Sequence, residues 1–207
     1  SVIGQKFFIM EKIDGITIFD PALIDYTPQD RAKLYSGKLD ILAALAAINP
    51  ANIGLDNFGK PLGYLDRQIS TWTRQYRNSQ TEDLNSMEFL IEHLGGALHT
   101  ALPGLCVIHG DYRLDNMLIQ NNTDIRALID WELSTLGPAF IDLSYWCAML
   151  RMDKKWPIKG LDGVNRKQLG IPNEDDLVMR FCKQTGYHKP ANWEALIAFQ
   201  CFRFAAI

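Results

Sequence analysis

The chain has 207 residues, a formal net charge of −3, 47% hydrophobic and 22% charged side chains. That length buries one sizeable core or two modest ones, and the slight acidity gives no electrostatic footprint for nucleic acid or an anionic membrane surface. No apolar run approaches the roughly 20 residues of a membrane-spanning helix, and no basic stretch leading into an apolar one argues for export.

Residues 6–12 are aromatic and β-branched enough for a strand, and Asp14-Gly15 breaks it. Thr27-Pro28 is a helix start, a capping residue followed by proline at the first position. Leu34, Ile41, Leu42, Leu45 and Ile48 then mark one helical face until Asn49-Pro50 stops it. After a polar loop the spacing predicts a helix over 62–77, with Leu65, Ile69, Trp72 and Tyr76 on one side and Arg67, Arg74 and Arg77 on another. A third helix is predicted over 83–102, ending at Pro103-Gly104.

The pattern then changes to short apolar runs at 105–108, 117–119 and 125–129, separated by polar turns that include Gln120-Asn121-Asn122. These read as small strands forming a hairpin. Residues 140–150 are apolar all round and predict a buried helix. Two more helices are expected near 173–185 and 192–207. The chain opens on Ser1 just before an apolar stretch and stops inside an apolar helix, so a fragment with material missing on both sides is expected. The four scattered cysteines (Cys106, Cys147, Cys182, Cys201) form no C-x-x-C pair, and His93, His99 and His188 give no ligand pattern. Reduced thiols and a cytoplasmic setting are expected.

The residues that can carry chemistry lie in the segment His109-Gly110-Asp111-Tyr112-Arg113-Leu114-Asp115-Asn116 and in Ile129-Asp130-Trp131-Glu132. Phosphoryl transfer to a hydroxyl needs a carboxylate within reach of the attacking group and oxygen ligands that hold magnesium against nucleotide phosphates. Asp111, Asn116 and Asp130 offer that set. Four residues join the first two, and a hairpin would bring the third back beside them.

His109-Gly110-Asp111 with Asn116 five residues on resembles the catalytic loop of the aminoglycoside phosphotransferase family, itself similar to the H-R-D-x-x-x-x-N loop of protein kinases. Asp130 matches the position of the kinase D-F-G aspartate. The wording HGDYRLDN followed by IDWELSTLG is similar to the branch that includes the kinase-like domain fused to some acyl-CoA dehydrogenases. The resemblance implies an α+β, protein-kinase-like fold, with a predominantly helical C-terminal lobe around a small central hairpin and an N-terminal lobe largely absent. Residues 1–15 would be the last N-lobe strand and hinge, and 16–207 the helical catalytic lobe. It further implies ATP and Mg2+ as cofactors, with adenine against the carbonyl of Glu11 and the N–H of Ile13, Asp111 as catalytic base, and Asn116 and Asp130 as metal ligands.

By the same resemblance His109 orients the loop, and Asp142 accepts catalytic-loop N–H groups. The family's usual Gly-Asp-Pro is here Gly137-Pro138-Ala139, which leaves the geometry of that loop open. The Arg67, Arg74 and Arg77 face is expected to be solvated, and Arg113 and Asp115 are expected either to touch substrate or to pair locally.

The expected activity is an ATP- and Mg2+-dependent kinase for a small-molecule hydroxyl, without nucleic-acid or membrane partners. The fragment alone is expected to be inactive for want of a phosphate-covering loop and strand lysine, and to self-associate through its exposed N-terminal strand. The alternative is a non-catalytic, pseudokinase-like module that binds a nucleotide or a partner. A protein kinase is disfavoured because neither A-P-E nor D-F-G is present.

Overall fold

The computed structural model describes residues 4, 7, 9–100 and 102–207. Its first helix, α1 (Pro28–Ala47), is capped by the Thr27 side chain, which accepts the Asp30 N–H. It buries Leu34, Tyr35, Leu39 and Leu42 on one face, satisfying the 3.6-residue period. Arg31, on the same helix, is also buried. Its guanidinium donates to the carbonyls of Ala22, Leu23 and Ile24 and, at 3.2 Å, to that of Leu169. The segment leading into α1 is thereby pinned to the body of the fold.

Helices α2 (Tyr64–Ser79) and α3 (Asn85–Ala97) pack on each other. The second is shorter than its sequence predicts, because Gly95 and Gly96 lie in its last turn and weaken continuation. Arg77 of α2 makes a two-pronged ion pair with Glu88 of α3, and Arg67 donates to the Lys60 carbonyl at 2.7 Å. Two members of the arginine face therefore fasten local structure.

Two small antiparallel sheets follow. Strand β1 (Cys106–Ile108) pairs with β4 (Thr135–Gly137), while β2 (Met117–Gln120) and β3 (Asp124–Leu128) form the hairpin. The apolar run at 105–108 therefore belongs outside the hairpin, with a partner that lies beyond it in sequence. Asn121 and Asn122 both take positive φ, and the Thr123 N–H donates to the Gln120 carbonyl at 3.1 Å. That is the turn chemistry that lets a short loop follow the strand twist.

Helix α4 (Ile141–Leu150) is buried at every residue except Met149. It packs on α7 (Trp193–Ala205), and α6 (Glu174–Thr185) packs on α1. A short α5 (Arg166–Leu169) joins the middle. Phe140, Phe181 and Trp193 meet edge to face in the core between them. Gln200 of α7 donates to the Ile141 carbonyl and the Ser144 hydroxyl, which fixes the register of the two helices. No helix of the described residues is long and apolar enough to cross a membrane.

The strand expected over 6–12 does not form at the described residues 7 and 9–12; Lys6 and Phe8 lie outside the described residues. Propensity alone does not make a strand, which needs a pairing edge. Among the described residues the nearest ladder contact is Ile16, which exchanges both backbone hydrogen bonds with Ile119 at 3.0 and 2.9 Å. Gly15 permits this approach, since a Cβ there would sit 3.1 Å from the Ile119 nitrogen. The expected strand edge for self-association is thus absent there, although Ile9 and Met10 are exposed.

Candidate active site

The loop 109–116 leaves β1 and enters β2 through a short 3-10 turn, Leu114–Asn116. Its position is set from behind by α4. The buried Asp142 carboxylate accepts the His109 N–H at 2.7 Å and the Gly110 N–H at 2.9 Å. Burial pushes the Asp142 carboxyl up, opposed by those two N–H groups and by the nearby Arg203 charge. One helical turn on, the Tyr145 hydroxyl donates to Asp111 Oδ1. Burial first, and then the Asp111 charge, pushes that phenol up, so it remains a donor. From α7, Arg203 donates to the Gly110 carbonyl at 2.6 Å while its guanidinium lies 4.9 Å from the Tyr145 ring.

Gly110 takes φ +85° and lies so close to the next loop that a Cβ would stand 2.6 Å from the Leu133 carbonyl oxygen. His109 is buried between the two loops. Its Nδ1 accepts the Asp111 N–H at 3.2 Å, which leaves the proton on Nε2 to donate to the Ile129 carbonyl at 2.9 Å. Its ring also meets Trp131 at 4.9 Å. With both ring nitrogens engaged, His109 orients backbone on either side of it.

Asn116 is 6% exposed, and its side-chain Nδ2 donates to the Asp111 carbonyl and to Asp111 Oδ2, each at 2.9 Å. The amide oxygen then faces away from Asp111, free to act as a ligand. The Asn116 carbonyl accepts the Ile129 N–H at 2.9 Å, so the residue after Ile129, Asp130, begins where the two loops are stitched together. Asp130 is exposed and sits at φ 65°, ψ 59°. This left-handed conformation is uncommon for a residue with a side chain and costs of order 1–3 kcal/mol.

Asp111 and Asn116 are therefore in direct contact, and Asp130 is joined to them through Ile129. Glu11 is exposed and Ile13 half-buried, and among the described residues neither the Glu11 carbonyl nor the Ile13 N–H has a backbone partner. Met10, just before them, lines a cavity of about 450 Å³ together with Leu128–Glu132. Met10 and Asp130 thus border the same space.

The oxygen donors Asn116 and Asp130 suit a hard divalent cation such as magnesium, which keeps several ligands from water and phosphate. No group of three or more histidine, cysteine, aspartate or glutamate side chains among the described residues could hold a metal alone. Two oxygen donors from the protein fit a cation that takes its other ligands from water and phosphate.

Arg113 and Asp115 pair locally: the Arg113 Nη2 lies 3.0 Å from Asp115 Oδ2, and its Nε lies 3.2 Å from Asp111 Oδ1. The second approach is not aligned for a hydrogen bond, and the Nε is buried without a partner. Tyr145 and Arg203 are the residues that sequence reasoning missed. A local signal existed for the first, since Tyr145 stands three residues after Asp142 and so on the same helix face. Nothing local points to Arg203.

The phosphotransferase enzyme family model matches residues 1–180. Mouse acyl-CoA dehydrogenase family member 10 is 36% identical over an alignment that covers all of this chain and 20% of that protein. Human acyl-CoA dehydrogenase family member 11 is 32% identical, with all of this chain and 27% of that protein covered. The chain thus spans about a fifth to a quarter of the length of the curated relatives it matches. Among solved structures, a candidate aminoglycoside phosphotransferase from Ralstonia eutropha is 32% identical with a TM-score of 0.88, over 95% of this chain and 60% of that one. An aminoglycoside phosphotransferase from Streptomyces rimosus, in complex with ADP and streptomycin, shares the fold at 15% identity and a TM-score of 0.58, over 92% of this chain and 67% of that one.

Proposed function

The chain belongs to the phosphotransferase enzyme family, and on that premise we propose that it carries the catalytic lobe of an ATP- and Mg2+-dependent kinase acting on a hydroxyl of a small molecule. The observation that carries this reading is the Asn116 side chain. Its amide nitrogen is committed to Asp111, which helps hold the carboxylate in place and leaves the amide oxygen available to a cation.

In this reading Asp111 accepts the proton of the attacking hydroxyl. A carboxylate offers about four lone-pair positions; Tyr145 and Asn116 occupy one on each oxygen, so an incoming hydroxyl still finds an acceptor. Asn116 and Asp130 would hold magnesium, and the Glu11 carbonyl and Ile13 N–H would receive the adenine edge. Bound MgATP would supply the phosphoryl group and the charge that stabilises its transfer. Because phosphoryl transfer asks mainly for positioning, the clamp from Asp142, Tyr145 and Arg203 is the protein's main contribution on the acceptor side.

The relatives are named acyl-CoA dehydrogenase family members, which favours a hydroxylated acyl compound or hydroxy acid as acceptor over an aminoglycoside. The four free cysteines fit a cytoplasmic setting. The test is ADP release by the full-length protein with MgATP and a panel of hydroxy acids, hydroxyacyl thioesters, sugars and aminoglycosides. Turnover with one class, lost in Asp111→Asn, supports the kinase. MgATP binding with no ADP release for any acceptor favours the non-catalytic module instead.

A further inference from the structure

We propose that Arg113 is a further catalytic residue, whose guanidinium donates to the oxygens of the phosphoryl group while that group passes to the hydroxyl at Asp111. This role rests on the kinase reading and deepens it. What points to it is a donor left over beside the base. Arg113 Nε lies 3.2 Å from Asp111 Oδ1 without the alignment of a hydrogen bond, and it is buried with no accepting partner. Among the described residues no other cation reaches within 4.0 Å of an Asp111 oxygen.

The neighbouring cations are committed elsewhere. Arg203 donates to the Gly110 carbonyl at 2.6 Å. The buried Lys38 of α1 donates to the Tyr112 carbonyl at 3.1 Å, with its Nζ 4.3 Å from the Trp146 ring. Arg113 is tethered at one prong, Nη2 lying 3.0 Å from Asp115 Oδ2. Its backbone is fixed as well: the Arg113 N–H donates to the Asp111 carbonyl at 2.9 Å, and the Arg113 carbonyl accepts the Asn116 N–H at 3.3 Å. A guanidinium carries five N–H donors in a rigid fork, so a single tether leaves donors for an anion. A buried N–H without a partner is costly, and a partner that arrives with the reaction removes that cost.

The charges argue that this partner is the phosphoryl group. Asp111 and Asp115 place two carboxylates where anionic oxygens must come close, and Arg113 is the cation in reach of both. The two oxygens of the base are served differently. Asn116 donates to Asp111 Oδ2 at 2.9 Å and would carry the metal on that side, whereas Arg113 stands at Oδ1. A phosphoryl group in transfer spreads its charge over three equatorial oxygens, and fixed donors aimed at that charge stabilise it more than they stabilise the bound reactants. In this step the hydroxyl oxygen bonds phosphorus as the bond from phosphorus to the ADP oxygen breaks, and the hydroxyl proton goes to Asp111. Arg113 neither gains nor loses a proton.

The experiment is calorimetric titration of MgADP, with and without aluminium fluoride as a stand-in for the phosphoryl group, into the full-length protein and its Arg113→Met and Arg113→Lys variants. Aluminium fluoride should tighten MgADP at least about tenfold in the native protein. Arg113→Met should bind MgADP alone within about twofold of native, which also shows that it folds, and should lose that gain. Arg113→Lys keeps the charge beside Asp115 but not the fork, and should retain only part of it. With ADP release from MgATP to water as a second readout, kcat in Arg113→Met should fall at least about a hundredfold while KM for MgATP stays near native. A full aluminium fluoride gain in both variants, or a raised KM with kcat unchanged, would overturn this role and leave the kinase reading standing. A native protein that gains nothing from aluminium fluoride and releases no ADP would sink the kinase reading and this role with it.

Discussion

Replacing Asp142 by asparagine changes one oxygen of a carboxylate that is 2% exposed and that accepts the His109 and Gly110 N–H groups at 2.7 and 2.9 Å. The new NH2 faces one of those donors. Losing a hydrogen bond to a charged acceptor costs roughly 1.5–3 kcal/mol, and stranding a buried N–H roughly 1–3 kcal/mol more. Removing the buried charge, whose protonation burial already favours, offsets about 1–2 kcal/mol of this. The net loss is about 3 kcal/mol, or a fall in Tm of roughly 6–12 °C for a chain of this size. Scanning calorimetry at pH 7.5 reads it directly, with exposed Asp25→Asn as the control. A fall below about 2 °C, no larger than that of the control, would refute the claim that α4 holds the loop 109–116 through this carboxylate.

Gly110→Ala should be more damaging than Gly186→Ala. Both glycines have positive φ, but a Cβ at position 186 meets open space while one at 110 meets the Leu133 carbonyl at 2.6 Å. Urea unfolding should show about 1 kcal/mol lost at Gly186 and at least twice that at Gly110; equal losses would mean the two loops do not abut. The Lys38 ammonium, lowered by burial from 10.5 to about 7, gives a pH signature. Between those values the unfolded chain binds more protons than the folded one, so this group's share of stability rises with pH. From pH 7.5 to 8.5 the native protein should gain about 1 kcal/mol relative to Lys38→Met in chemical denaturation, and a flat difference would contradict the burial of that charge.

Local chemistry made much of the fold readable. Thr27-Pro28 marks the start of α1, Asn173 and Asp176 form a reciprocal cap at α6, and Asn121-Asn122 supply a turn whose positive φ values asparagine tolerates. The uniformly apolar α4 was legible because a helix with no polar face must be enclosed. Pairings distant in sequence were not. Strand β4 spans only Thr135–Gly137 and ends on a glycine, so nothing in its composition announces a partner at Cys106–Ile108. Arg203 reaches Gly110 across 93 positions, and no periodicity encodes such a contact. The segment at 9–12 failed the other way, since strand propensity was present and the partner was not. At the candidate site, Asp111, Asn116 and Asp130 could be named because their residue types suit the chemistry; their support from Tyr145 depends on how α4 is turned.

In the proposed assignment Asp111 handles the acceptor proton while Asp130 belongs to the metal and nucleotide. Calorimetric titration of MgATP into the full-length protein and its Asp111→Asn and Asp130→Ala variants separates the two roles. Asp111→Asn should bind MgATP nearly as the native protein does while losing turnover by orders of magnitude, and Asp130→Ala should lose magnesium-dependent binding. Equal effects of the two substitutions on MgATP binding would contradict this division of roles.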